Sequence, residues 1–130
     1  MKINNYTTGH EDDENLFWKN TRDYIPKKRR KTFNWFIKRG FDPLIAAFKT
    51  LSIRRNDDVF PDYKGVYNYR TEKIGTKEEL VEHPEDFIPQ NYSHTYIEYY
   101  YTYGYRPLTA AFKTLLSYYA QQFPKMPKKK

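Results

Sequence analysis

The chain has 130 residues, only 38% of them hydrophobic, and a net charge of +7. It has no cysteine, which excludes disulfides and thiolate metal sites, and no apolar run approaches the length of a membrane span. Mean hydropathy is −1.00, so most of what can be buried comes from 14 Tyr, 9 Phe and 2 Trp. Tyr and Phe favour interface cores. A short chain with few aliphatics has a marginal core, so this one is expected to complete its packing against something else.

Residues 1–22 read as a polar N-terminal arm. Glu11, Asp12, Asp13 and Glu14 make it unlike a basic mitochondrial presequence, and it lacks the apolar stretch of a secretory signal. Residues 23–61 and 86–124 then read as two copies of one unit. Asp23-Tyr24-Ile25-Pro26 returns 63 positions on as Asp86-Phe87-Ile88-Pro89, and Thr32-Phe33 returns as Thr95-Tyr96. Gly40-Phe41-Asp42-Pro43-Leu44-Ile45-Ala46-Ala47-Phe48-Lys49-Thr50-Leu51 returns 64 positions on as Gly104-Tyr105-Arg106-Pro107-Leu108-Thr109-Ala110-Ala111-Phe112-Lys113-Thr114-Leu115. Phe60-Pro61 returns at 63 as Phe123-Pro124. Matched islands in the same order at a near-constant period mark a tandem duplication.

Each unit is predicted to be two helices around a tight corner. Pro26 and Pro89 suit a first helical turn, Gly40 and Gly104 suit the left-handed residue that closes a helix, and Pro43 and Pro107 open the next. Asp42 is a good cap ahead of Pro43; Arg106 is a poor one. The Tyr-rich run 95–103 also carries strand propensity, but the parallel with the first copy favours helix. Residues 62–85, with Gly65 and Gly75, read as an extended linker. Residues 125–130 read as a basic tail. The fold class expected is therefore all-α: two tandem αα-hairpins, an extended linker, and extended arms at both ends.

In each second helix Leu44, Phe48 and Leu51, or Leu108, Phe112, Leu115 and Tyr119, share one face. Such stripes are ordinarily core. A duplicated stripe also suits two equivalent partner sites, so these residues are the expected docking anchors, with Lys49 and Lys113 at their edge. Lys27, Lys28, Arg29, Arg30 and Lys31 form the strongest charge block and are the expected contact with an anionic surface. The second copy is neutral there, with Gln90, Asn91, Tyr92, Ser93 and His94. That loss argues against general phosphate binding. His10, His83 and His94 have no metal-ligand spacing, no phosphate-binding glycine loop occurs, and the one serine next to a histidine, Ser93 beside His94, is weak evidence because adjacent residues on a helix do not face each other, so no enzyme, metal or cofactor is expected.

The expected function is that of a non-enzymatic accessory subunit that docks on and stabilises a large assembly, through protein partners with acidic surfaces. Short, rich in Tyr and Lys and punctuated by proline, the chain resembles in style the small proteins that line the inside of axonemal microtubules. That resemblance implies a regular, acidic protein lattice as partner. Two alternatives are a peripheral subunit of a mitochondrial respiratory-chain or ATP synthase complex in contact with anionic lipid, and an RNA-binding ribosomal accessory protein. A cytoskeletal, ciliary or mitochondrial location fits these readings equally.

Overall fold

The computed structural model describes residues 1–52 and 65–122. The expected Phe60-Pro61 and Phe123-Pro124 match, and the tail 125–130, lie outside them. The described residues form five α-helices and two small antiparallel sheets. In chain order these are β1 (Lys2–Asn4), β2 (Glu11–Asp13), α1 (Arg30–Lys38), α2 (Pro43–Ser52), β3 (Val66–Asn68), β4 (Lys73–Gly75), α3 (Lys77–Glu82), α4 (Ser93–Ile97) and α5 (Pro107–Gln122). The all-α expectation is thus corrected to mixed α and β, with helix predominant. Strands of three residues contain too few alternations to show a period of two, which is why the sequence pattern hides them.

Both hairpins lie where an arm and a linker were expected, and they are copies of one another. Ile3 faces Asp12 across the first, and Val66 faces Gly75 across the second, again 63 positions apart. Ile3 and Val66 are both fully buried. In the turns, the Asn5 side-chain oxygen accepts from the Thr7 and Thr8 amides at 2.8 and 3.0 Å. The Asn68 oxygen does the same for Arg70 and Thr71 at 2.8 and 2.9 Å. This is the local Asx-turn chemistry that competes with regular structure. Each turn then needs one left-handed residue, Gly9 at φ 82° in the first and Glu72 at φ 62° in the second. The repeat therefore starts at the hairpin, and each unit is a hairpin followed by a helical corner.

The run 95–103 is helical. It passes from α4 into a π-turn, Glu98–Thr102. This turn explains the change of period. The match runs at 63 residues up to Phe33 and Tyr96 and at 64 from Gly40 and Gly104 to Leu51 and Leu115, and a π-turn is how a helix absorbs one additional residue. In unit 1 the same stretch is the regular helix α1. Gly40 and Gly104 both take left-handed φ values, 91° and 82°, closing these helices. Pro43 and Pro107 begin α2 and α5 as expected. Pro26 and Pro89 stand one residue earlier than expected, in extended conformation just before a 3-10 turn.

The two units share one core. Phe48 and Phe112 are each other's counterparts, and their rings meet at 5.8 Å. Ala46, Ala47, Ala110 and Ala111 have no exposure, and these small residues let α2 and α5 approach. Contact between a residue and its own counterpart marks an approximate two-fold axis. The hairpins are reciprocal about that axis. Glu14 of unit 1 accepts the Arg106 amide of unit 2 at 3.2 Å, while Lys77 of unit 2, the counterpart of Glu14, pairs with Asp42 of unit 1 at 3.0 Å. Asp42 also caps α2, accepting the Leu44 amide at 2.9 Å. Arg106 offers no such side-chain cap, but its own amide, just ahead of α5, is satisfied by Glu14 across the axis.

Candidate interaction surfaces

The apolar stripe of each second helix is turned inward. Phe48, Leu51, Phe112 and Leu115 are fully buried, and Leu44, Leu108 and Tyr119 are half-buried against the same core. Burying such a side chain stabilises by roughly 1.5–3 kcal/mol. What these residues dock is the other half of their own chain. Phe112 also packs on Phe17 at 4.5 Å, drawing in the segment after β2.

Lys49 and Lys113 sit in aromatic clasps at the helix corner. Lys49 is only 7% exposed. Its ammonium lies 5.7 Å from the Phe36 ring and 6.0 Å from Phe41, and it donates to the Gly65 carbonyl at 3.3 Å. Lys113 lies 5.3 Å from Tyr99 and 5.0 Å from Tyr105. Burial lowers its pKa, and the field of Glu11 partly opposes this. The Tyr105 hydroxyl donates to the Lys2 carbonyl at 2.6 Å. Lys2 and Gly65 are counterparts, so each hairpin's first carbonyl is held by the other unit's clasp. Cation–π contact at a desolvated site contributes up to about 2 kcal/mol, which makes these lysines parts of the fold.

The basic block divides. The Arg29 guanidinium donates to the Thr50 carbonyl at 3.3 Å, and Arg30 donates to the Ile25 carbonyl at 3.1 Å. Both side chains are half-buried; Lys27, Lys28 and Lys31 are exposed. Lys19 and Arg22, just upstream, are exposed cations as well. Their counterparts in unit 2 are Glu82 and Glu85, also exposed. Lys27, Lys28 and Lys31 correspond to Gln90, Asn91 and His94. Equivalent outer faces are thus cationic on unit 1 and anionic or neutral on unit 2.

The face of unit 2 is also hollowed. An open groove of about 760 Å³ runs between the end of α3 and the α4 π-turn, with Glu82 and Glu85 on one side and Val81, Ile97, Tyr100 and Tyr101 among its apolar lining. Tyr101 lies in the π-turn and is 74% exposed. Tyr96, at the groove floor, is held neutral to about pH 12 by burial first and the nearby Glu85 charge second. Asp86 in the same groove is paired with Arg70 at 2.9 Å. The sequence reading missed this groove. The single-residue change of period at the π-turn was its one signal.

A partly buried polar pair further distinguishes the units. In unit 1 the Tyr24 hydroxyl donates to Asp12 at 2.6 Å, and Asn5 donates to the same carboxylate at 2.8 Å. Those hydrogen bonds hold Asp12 below its ordinary pKa, while burial and then the Asp12 bond push Tyr24 up to about 12. In unit 2 the same two positions are Phe87 and Gly75. A Cβ on Gly75 would meet the Phe87 ring at 2.6 Å. Hydroxyl and carboxylate are therefore replaced together by a phenyl ring and a glycine that makes room for it.

Among the described residues no cluster of His, Asp and Glu is placed to hold a metal ion, and no helix is long and apolar enough to cross a membrane. No protein-family model, no curated protein and no solved structure matches the chain.

Proposed function

We infer that the protein is a non-enzymatic assembly subunit, docking its neighbours through two outer faces of opposite charge. One observation carries this reading: the units keep a common inner face, while their equivalent outer faces differ in charge residue by residue. Lys19, Arg22, Lys27, Lys28 and Lys31 fit an acidic protein surface, since complementary charge steers encounter and fixes register. The groove of unit 2 fits a neighbour that is cationic and partly apolar. RNA is a poorer fit for the basic face, because Arg29 and Arg30 are spent on backbone carbonyls of the fold.

A tagged chain, expressed in its own cells at native level, tests this by the size at which it migrates. The expected result is elution within a complex several times the mass of the chain, with release to free monomer when Lys27, Lys28 and Lys31 are all changed to Glu. Migration as monomer, unchanged by those substitutions, would sink the reading. Ribonuclease treatment should leave the complex intact.

A further inference from the structure

We propose that the neighbour on each face is a second copy of this chain, with the basic face of unit 1 seated on the acidic tyrosine groove of unit 2 in a head-to-tail contact. This rests on the assembly reading above and names its partner.

The placement of the charges points to a copy rather than to an unrelated protein. Lys19 and Glu82 are counterparts, as are Arg22 and Glu85, and all four are exposed. When one unit-1 face meets one unit-2 face about a local approximate two-fold, counterparts near that axis come face to face. Like charges at counterpart positions would repel across such a contact; here they are opposite. The apolar content also divides between the partners. The groove carries Val81, Ile97 and Tyr101 at its surface, and unit 1 exposes Trp35 with the Arg39 guanidinium 4.0 Å above its ring. Aromatic and arginine side chains of this kind are the usual anchors of an interface.

The same internal two-fold that relates the units relates the two faces. A chain bound through its unit-1 face still presents a unit-2 groove, and its partner still presents a unit-1 face. A contact of this type propagates into a ring or a filament instead of stopping at a dimer. The π-turn sets the polarity. It places Tyr101 in the groove wall, and the regular helix of unit 1 has no equivalent, so two unit-1 faces or two unit-2 faces are mismatched in both shape and charge.

Sedimentation velocity on the purified full chain, across protein concentration and at low and high salt, tests this. The wild type should form a concentration-dependent series of oligomers at low salt. Raising the salt should return it to monomer, since exposed pairs are screened. E82K/E85K and K19E/R22E each reverse one face at exposed positions, and K27E/K28E serves if K19E/R22E does not fold by circular dichroism. Each variant alone should associate about tenfold more weakly or not at all, and an equimolar mixture of the two opposite variants should associate again. A wild type that is monomeric throughout would overturn the proposal, as would variants that associate as well as the wild type. A monomer whose groove binds a lysine-rich peptide would assign the groove to a different basic protein and overturn it too. A monomer that still migrates within a large complex in cells would overturn the head-to-tail contact and leave the assembly function standing.

Discussion

The inner and outer faces of the two units obey different rules. On the inside, Phe48 repeats as Phe112, Leu51 as Leu115 and the alanine pairs as themselves, because close packing between α2 and α5 leaves little freedom in volume. Inside, Tyr24 with Asp12 changes together to Phe87 with Gly75, and at the rim Asp42 with Lys77 changes together to Arg106 with Glu14; the buried exchange of Ile45 for Thr109 leaves a hydroxyl with no hydrogen-bond partner. On the outside, Lys19 becomes Glu82 and Arg22 becomes Glu85, all four exposed; the change at Glu85 brings only a surface contact with His83 at 3.5 Å, where unit 1 has Asn20. The packed face therefore constrains each residue through its partners, and the solvated face is left free to acquire binding.

The largest test of that contrast removes the shared core. Phe112→Ala should cost about 3–5 kcal/mol, and Phe48→Ala nearly as much, each measured by urea denaturation with a single transition for both units. Two separate transitions would show that the units fold independently. A smaller effect comes from pH. Tyr24 and Tyr96 ionise at about 12 in the fold against an ordinary tyrosine value of 10.0. Their raised values contribute stability that is complete below pH 10 and is lost as pH rises from 10 toward 12, on the order of 1.4 kcal/mol per pH unit for each group. Tyr24→Phe, which gives unit 1 the ring of unit 2, should flatten this alkaline loss while lowering stability at neutral pH, because Asp12 keeps only the hydrogen bond from Asn5.

The reciprocal contacts between the units come next. Glu14→Gln and Asp42→Ala should each cost about 1 kcal/mol, and Glu14→Lys with Arg106→Asp should recover most of that loss, since it installs in unit 2 the pair that unit 1 already has. Thermal melts of the single and double variants give the coupling; purely additive losses would mean the two contacts are independent of their partners. The smallest effect is at the hairpin turns. Glu72→Gly should raise stability by about 0.5–1 kcal/mol by relieving a left-handed non-glycine residue, and Gly9→Ala should lower it by a similar amount.

Much of the helical corner is legible in the sequence. The corner glycines, the helix-opening prolines and the apolar stripe recur at a fixed spacing, and such spacing reads directly as helix. The hairpins are not legible, because Asn5-Tyr6 and Thr8 match Asn68-Tyr69 and Thr71 within surroundings that share little else. A turn made by one Asn side chain and one left-handed residue leaves only that faint signature. The outer faces are half legible. The basic block stands out as charge, but its division into two arginines that hold carbonyls and three lysines that face solvent depends on where the Thr50 carbonyl of α2 and the Ile25 carbonyl come to lie.

The sequence by itself determined that the chain is doubled, where its helices turn, and that it holds more cations than anions, because periodicity and charge are properties of residue order. Only the tertiary structure decided which side of each helix is inside. The stripe that would serve as a docking surface on one isolated unit is consumed by the second unit, since two amphipathic corners in one chain meet at high effective concentration. Outward recognition is left to the faces that the duplication did not preserve.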